Sequence, residues 1–440
     1  MSLHKFLKAI SRLVVVIVVV SSASLVSATD EPFEQRPLVL IASDFLPKSL
    51  LSGEGYSVNE QVSNDGFQNT YTMETDYGVI TASSSDELRA RIQEVKATRA
   101  LEKLERSDEF KDAAKGAVSG LVEGGKALVT SPVDTTKSAV KGMGRWLGNV
   151  GRSITSDDPH QDNVLKTALG YDAAKRAYAV EMGVDPYTDF EPFQERLGEV
   201  ARAATAGGLV TSVAIDVGTE GALVGTVTTV TSLASMKSIL KDNPPATLAK
   251  INKEKLEAMG VKGYQAEALL KNYNYTPAEV TLIVEALKRM GDMKGREIFV
   301  AFATAAPDRQ VARFMQHYAE MLADYITTVE TGDIVDISGE AWFVSGAGSL
   351  VGAFPLDYLA WTEEASESTR IASEKMAELG VKRRELLLEG QISPQARAAL
   401  ASRGWKISEN VRFADADKGT PGEGGAAVSP GAKGASQVIK

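Results

Sequence analysis

No cysteine occurs among the 440 residues of this chain. Disulfide bonds, thiolate metal sites, iron–sulfur clusters and cysteine nucleophiles are therefore excluded. Only His4, His160 and His317 are present, which leaves little for a metal centre built from several histidines. With 44% hydrophobic and 24% charged residues the chain has a globular composition. Its fold must be stabilised by a buried apolar core, because no covalent cross-link restrains the unfolded chain.

The first 28 residues have the three parts of an export signal. Three basic residues precede the unbroken apolar run Leu13–Val20, and Val26 and Ala28 stand at the −3 and −1 positions of a cleavage site before Thr29. An uncleaved membrane anchor is the alternative, but a membrane-spanning helix needs about 20 apolar residues. We therefore expect cleavage near Ala28 and an exported bacterial protein, periplasmic or secreted.

The apolar periodicity predicts an α+β fold that is predominantly α-helical. The expected parts are a signal peptide over 1–28, a small antiparallel β unit over 29–83, a helix with a glycine-rich basic amphipathic arm over 84–163, a helical domain over 164–292, a mixed α/β module over 293–413, and a disordered tail over 414–440. The tail contains no aromatic residue and is mostly small, a composition typical of flexible segments.

In the predicted β unit, apolar and polar residues alternate over 56–62 and again over 67–73, with the turn signal Asn-Asp-Gly at 64–66 between them. A second turn at 76–78 leads into another apolar run, so three antiparallel strands are expected. Three strands need a helix across one face, and the capping box of Ser84 and Glu87 predicts where that helix begins.

The segment 111–154 is rich in glycine and is basic inside an acidic protein. Seven basic residues stand against three acidic ones between Lys111 and Arg152, whereas the whole chain carries −10. Apolar residues at helical spacing predict an amphipathic arm, which either packs over the other domains or contacts an anionic membrane surface. The candidate membrane-contact residues are Lys115, Lys126, Lys137, Lys141, Arg145, Trp146 and Arg152.

Residues 203–234 are almost entirely small and apolar, and their only charges, Asp216 and Glu220, lie near the centre. We expect two apolar helices folded back at this charged turn, although the content of valine, isoleucine and threonine keeps strands as an alternative. Each arm is shorter than the ~30 Å hydrocarbon layer of a bilayer. A buried core hairpin is therefore expected, with a membrane-inserting hairpin as the alternative.

The last third mixes strands and helices. Strands are expected at Asp333–Ile337 and Ala341–Ser345, a helix over Leu356–Leu379, and a β-α-β unit from Glu385 to Ser408. The glycines of 346–352 have the composition of a nucleotide-binding loop, but no helix follows to aim its N–H groups at a phosphate. We therefore expect a glycine-rich hairpin and no nucleotide or other cofactor.

Two clusters have residue types that bind metal ions. His317 and Glu320 lie three residues apart on a predicted helix, but no second histidine accompanies them and His317 borders the apolar face. The acidic loop 157–162 lacks the glycine and the terminal glutamate of a calcium loop. We expect a half-buried core histidine, a solvated loop and no metal site.

The sequence contains few recognisable catalytic motifs. No nucleophile-elbow, phosphate-loop or zinc-protease motif occurs, and the acidic charge argues against nucleic acid as a partner. These observations predict a non-enzymatic binding or structural protein of the bacterial envelope, with an anionic membrane surface or another envelope protein as its partner. The alternatives are an exported hydrolase with a carboxylate pair near 295–412, and a pore-forming protein built on the hairpin 203–234.

Overall fold

The computed structural model describes residues 33–108, 110–111, 163–207 and 230–412. These residues confirm an α+β fold that is largely helical, with an antiparallel sheet near the N-terminus and a mixed sheet near the C-terminus. The predicted signal peptide, nearly all of the basic arm, most of the apolar hairpin and the predicted tail lie outside the described residues.

The N-terminal sheet has more strands than the three that the sequence predicts. Its strands are β1 (Leu38–Ile41), β2 (Ser52–Gly53), β3 (Tyr56–Val58), β4 (Gln61–Asn64), β5 (Asn69–Thr75) and β6 (Gly78–Ala82), with the short helix α1 (Lys48–Leu51) before β2. The order is β1-β4-β5-β3-β2, β6 also pairs with β5, and all pairings are antiparallel. The prediction was wrong in number because 56–64 is interrupted after Val58, which frees β4 to pair with β1.

Helix α2 (Ser85–Glu105) covers this sheet, as the capping box predicts. The Ser84 Oγ accepts the N–H of Glu87 at 3.0 Å, and the Glu87 carboxylate accepts the N–H of Ser83 at 2.9 Å. The return bond of the capping box, from the Glu87 side chain, is therefore made to Ser83, the residue before the N-cap, and not to the N-cap Ser84. Leu88 and Ile92 on the apolar face are fully buried in the N-terminal core.

The middle of the chain is helical. Its elements are α3 (Asn163–Glu181), α4 (Glu191–Gly207), α5 (Val230–Asp242), α6 (Pro245–Ala258), α7 (Gly263–Leu270), α8 (Pro277–Arg289), α9 (Arg296–Thr304) and α10 (Arg309–Thr328). Helices α3 and α4 pack with α2 in the N-terminal core, whereas α8, α9 and α10 belong to the C-terminal core. At the start of α8 the capping box of Thr276 and Glu279 is complete, with both predicted bonds present.

The C-terminal sheet has the order β13-β11-β9-β8-β7. Its strands are β7 (Gly332–Ile337), β8 (Glu340–Ser345), β9 (Ser349–Phe354), β11 (Arg383–Leu388) and β13 (Lys406–Ser408). A separate parallel pair is formed by β10 (Tyr358–Leu359) and β12 (Gln391–Ile392). The helices of this part are α11 (Glu363–Leu379) and α12 (Pro394–Ser402). The β-α-β unit is confirmed, because β11 and β13 pair in parallel across α12. The glycine-rich hairpin is also confirmed, as the antiparallel turn between β8 and β9.

One predicted helix begins later than expected. The sequence predicts a helix from Leu356, but α11 begins at Glu363, with the Thr362 side chain accepting the N–H of Ala365 at 3.1 Å. The preceding residues, 355–361, run across to the N-terminal sheet and include β10. Their backbone groups bond to that sheet instead of to a helical turn, which explains the late start.

A polar cleft between the two sheets

The turn between β4 and β5 joins the N-terminal sheet to the C-terminal module. Gly66 takes a left-handed conformation there, with φ of 102°, as the Asn-Asp-Gly signal predicts. The carbonyl of Phe67 accepts the N–H groups of Asp357 and Tyr358 at 3.1 and 3.3 Å, and the Phe67 ring enters the C-terminal core. This turn therefore holds the segment 355–360 against the N-terminal sheet.

Asp357 connects three parts of the fold at this junction. Its carboxylate accepts the backbone N–H of Asn69 at 3.0 Å and that of Ser85, the first residue of α2, at 3.0 and 3.1 Å. Removal of the carboxylate from water raises the pKa of Asp357 to about 6, because burial penalises the charged form more than these hydrogen bonds favour it. Asp357 thus places the start of α2 beside the C-terminal module.

A cleft lies between α2, α10 and the segments that follow β9 and β11, with an empty volume of about 480 Å³ that includes space open to solvent. Its walls carry mostly polar and charged side chains. They are Gln68, Ser83, Ser84, Asp86, Glu87, Arg89, Gln310, Arg313, Phe314, His317, Pro355, Asp357 and Glu389. Four of these are carboxylates and two are arginines, so the lining has an excess of negative charge even when His317 is protonated.

His317 is buried between two of the carboxylates. Its Nε2 lies 3.1 Å from Glu389 Oε2, and its Nδ1 lies 3.9 Å from Asp86 Oδ1. Burial is the largest influence on the pKa of His317 and lowers it, but the charges of Glu389, Asp86 and Glu320 together outweigh burial and raise the pKa above its usual value. The sequence predicted a half-buried core histidine, whereas the structure buries His317 to 8% exposure and places a carboxylate beside each ring nitrogen.

Arg313 is held by acids from two other helices. Its guanidinium lies 3.7 Å from Glu87 Oε1 on α2 and 3.6 Å from Glu279 Oε1 on α8. Arg89 lies 3.9 Å from Glu389. These pairs join α2, α8, α10 and the residue after β11 into one charged network around the cleft.

Gln68 differs from the charged lining residues. It is only 3% exposed, and its Nε2 donates a hydrogen bond to the carbonyl of Pro355 at 2.8 Å. This bond fixes the orientation of the amide, because a flipped side chain would place two oxygens against each other. The Oε1 then has no hydrogen-bond partner among the described residues.

His317 and Glu320, the weak metal candidates of the sequence, meet no further set of ligands within the described residues. Glu320 Oε2 accepts a hydrogen bond from Gln316 Nε2 at 2.6 Å. Within the described residues no group of three or more histidine, aspartate or glutamate side chains has an arrangement that could hold a metal ion. The acidic loop 157–162 and the membrane-contact candidates from Lys115 to Arg152 lie outside the described residues.

Among the residues that the structure describes, none of the serines that line the cleft is available to pair with His317. Ser84 Oγ caps α2, Ser85 Oγ is bonded to the hydroxyl of Tyr71 at 2.8 Å, and both ring nitrogens of His317 face carboxylates. A general base needs a nitrogen that can take the proton of the nucleophile.

Sequence reasoning missed most of the cleft. Its residues come from three distant stretches of chain, 68–89, 310–317 and 355–389, and carry no local motif. The usable signals were the capping box at Ser84, which marks the helix start, and the turn at 64–66, which marks the docking point. Neither signal predicts which residues of the C-terminal part form the opposite wall of the cleft.

Comparison with protein-family models, with curated proteins and with solved structures finds no match to this chain. Among the helices of the described residues, none combines the length and the apolar character that crossing a bilayer requires.

Proposed function

We propose that this chain is an exported, non-enzymatic binding protein of the bacterial envelope that holds a small polar ligand in the cleft beside His317. One observation carries the proposal: a cleft at the junction of the N-terminal and C-terminal parts is lined by charged and amide side chains from α2, α10 and the segments that follow β9 and β11. Binding sites form preferentially at such junctions, where a few polar groups converge. The signal-like residues 1–28 support export.

The charge pairing supports binding over catalysis. The guanidinium of Arg313 pairs with the carboxylates of Glu87 and Glu279. The ring of His317 has a carboxylate on each side. Such a network holds its geometry and offers hydrogen bonds from its unused lone pairs and N–H groups. A ligand recognised here needs no activated nucleophile.

A thermal-shift screen of the mature chain, begun at Thr29, tests the binding function. Amino acids, sugars, small amines and small carboxylates are the probe classes, and the control is a variant, Gln310→Trp, that fills the cleft. The expected result is a rise in melting temperature with one class that Gln310→Trp abolishes. Equal shifts in both proteins, or none in the mature chain, would contradict the proposal.

Export has its own test. Expression of the full chain in a bacterium, followed by fractionation and intact-mass measurement, is expected to give a periplasmic or secreted protein that begins at Thr29. A cytoplasmic product that retains residues 1–28 would count against export.

The envelope role includes peripheral contact with an anionic membrane through 111–154, because seven basic residues lie between Lys111 and Arg152. Liposome flotation with phosphatidylglycerol vesicles is the test. The mature chain is expected to float and a deletion of 111–154 to remain at the bottom, with phosphatidylcholine vesicles as the control. Flotation that does not depend on this segment would remove the membrane role.

A hydrolase is the second candidate, favoured by the positions of Asp86 and Glu389 on either side of His317. Paired carboxylates carry acid–base chemistry in glycosidases. A panel of chromogenic glycosides tests this candidate. If the protein hydrolyses a glycoside and both Asp86→Asn and Glu389→Gln abolish that activity, the hydrolase function would replace the proposed binding function. If no glycoside of the panel is hydrolysed, the proposed binding function stands.

A further inference from the structure

We infer that the carboxyl groups of Glu105 and Glu199 form a pH-sensitive clasp, which holds the end of α2 against α4 when the two acids share a proton and releases it when both are ionised. Glu105 is the last residue of α2, and Glu199 lies on α4. The residues of α2 that line the cleft are at the other end of the helix. The clasp is therefore separate from the proposed binding function.

Helices α2 and α4 run in the same direction, which places these two acids at one end of the helix pair. Near the start of α2, Arg91 Nη1 lies 2.7 Å from Asp189 Oδ1, just before α4 begins. At the end of α2, Glu105 Oε2 lies 3.5 Å from Arg196 Nη1 of α4. Residue numbers therefore rise together along both helices, and the last turn of α2 lies against the middle of α4.

Three carboxylates surround one guanidinium at this end, that of Arg196. The guanidinium lies 3.5, 3.9 and 3.4 Å from the carboxylates of Glu105, Glu102 and Glu199. A single positive charge balances one of these acids, so a negative charge remains when all three are ionised. Arg106 adds little, because its side chain is 78% exposed and its 3.7 Å contact with Glu102 is screened by water.

Glu105 is the acid that this arrangement makes hardest to ionise. Its side chain is 15% exposed, against 25% for Glu102 and 48% for Glu199. Its Oε1 is closed to solvent, and no donor on the described residues reaches it. Glu102, by contrast, accepts a hydrogen bond from the hydroxyl of Tyr77 at 3.2 Å. A proton on Glu105 removes one negative charge and lets this acid donate to Glu199.

The pKa of Glu105 has the direction that this geometry requires. Burial raises the pKa most, the charges of Glu199 and Glu102 raise it further, and the charge of Arg196 lowers it. The result is a pKa of about 7. The other titratable or charged groups around the three acids are Glu195 on α4, Arg106 on α2 and Tyr77 in the turn before β6.

The folded-state pKa of Glu105 lies above the ordinary glutamate value of 4.5, which applies when the carboxyl group is in water. The contribution of the protonated clasp is therefore complete below pH 4.5 and is lost as the pH rises through about 7. Separation of the last turn from α4 then returns an ionised carboxylate to water. This loosens the end of α2 from which the chain leads to the basic residues that begin at Lys111.

Hydrogen–deuterium exchange of the mature chain tests the clasp. The amides of residues 102–106 are followed at pH 5.5 and pH 7.5, and the rates are corrected for the effect of pH on intrinsic exchange. We expect the last turn of α2 to open about tenfold more often at the higher pH, because the open state binds the proton of Glu105 more weakly than the closed state does.

Glu105→Gln is expected to abolish this change, because its amide donates to Glu199 at both pH values as the protonated acid does at low pH. Glu199→Gln removes the other acid of the clasp and is expected to reduce the change. Glu254→Gln is the matched control: it makes the same substitution on α6, at an acid whose side chain is 64% exposed, and is expected to leave the pH response unaltered. Melting temperatures of all variants show that each one is folded.

The inference is overturned if exchange at residues 102–106 does not change between the two pH values, or if Glu254→Gln abolishes the change as well. Asp357, with a pKa of about 6, titrates in the same range. Its effect persists in Glu105→Gln, so a pH response that survives this substitution belongs to another group and refutes the clasp.

Discussion

Asp357 binds the backbone N–H of Ser85 with both carboxylate oxygens, at 3.1 Å from Oδ1 and 3.0 Å from Oδ2, across 272 residues of sequence. Ser85 opens α2, and the first N–H groups of a helix have no partner within the helix. An acid supplied by the C-terminal module therefore completes the end of an N-terminal helix. Because Asp357 and the start of α2 both line the cleft, this contact joins two of its walls.

Replacement of Asp357 by alanine is expected to destabilise the whole chain. The variant leaves the N–H groups of Asn69 and Ser85 without their acceptor, at a cost of about 2–3 kcal/mol. Urea denaturation measures the free energy of unfolding. The matched control is Asp336→Ala, which removes the exposed bond from Gly339 N–H to Asp336 Oδ1 at 2.7 Å and should cost less than about 1 kcal/mol. Equal losses in the two variants would show that Asp357 does not hold the sheets together.

Much of the fold could be predicted where local chemistry decides the structure. The capping boxes at Ser84 and Thr276 mark where α2 and α8 begin, and the turn at 64–66 has the predicted left-handed glycine. The strands expected at Asp333–Ile337 and Ala341–Ser345 correspond to β7 and β8, which pair as a hairpin. In each case the partners lie within a few residues of each other.

The rest depends on contacts between distant residues. A helix was expected from Leu356, but the segment is extended. The carbonyl of Phe67 accepts the N–H groups of residues 357 and 358, and the side chain of residue 357 accepts the N–H groups of Asn69 and Ser85. Local helical spacing contains no information about these partners. The ionic surroundings of His317, expected only as a half-buried core histidine, could not be predicted for the same reason, since Asp86 and Glu389 come from other elements.

Stability is expected to decrease as pH rises through the titration of His317. Its pKa is raised in the folded protein, so the contribution of the protonated ring is complete below the usual pKa of 6.5 and is lost as the pH rises through the raised pKa of the folded state. The charged groups that face the ring are Glu389, Asp86, Glu320 and Arg89. Urea denaturation at pH 6 and pH 8.5 should show a lower free energy of unfolding at the higher pH, and His317→Gln should reduce this difference.

The raised pKa of Asp357 acts in a separate pH window. A carboxyl group with a folded-state pKa of about 6 and an ordinary unfolded value stabilises the fold when protonated, so its contribution is lost between about pH 4 and pH 6. The comparison of wild type with His317→Gln is therefore confined to pH 6 and above. A wild-type slope that His317→Gln leaves unchanged in that range would refute the role of the histidine.

Glu279 is expected to contribute far more to the free energy of unfolding than an exposed acidic residue does. Its carboxylate accepts the N–H of Thr276 and pairs with Arg309 and Arg313, and the residue is 6% exposed. Glu279→Ala removes one of the two acids that face the buried guanidinium of Arg313, together with the acceptor of the Thr276 N–H, at a cost of about 3–5 kcal/mol. Glu254→Ala is the control, because Glu254 forms an exposed pair with Lys250 at 3.9 Å, worth up to about 1 kcal/mol. Denaturation midpoints of the two variants that coincide would contradict this ranking.

Gly390 has no room for a side chain where the chain passes the cleft. A Cβ built there would lie 1.9 Å from the carbonyl oxygen of Asp357, and the Gly390 N–H donates to the carbonyl of Leu356 at 2.9 Å. Gly390→Ala must therefore displace backbone that also carries Glu389, and we expect a loss of about 1–3 kcal/mol. Gly346→Ala is the control, because its nearest contact, the carbonyl oxygen of Thr331, would be 3.3 Å away. Thermal denaturation of both variants tests the difference, and a Gly390→Ala protein as stable as Gly346→Ala would mean that the segments at 357 and 390 separate without cost.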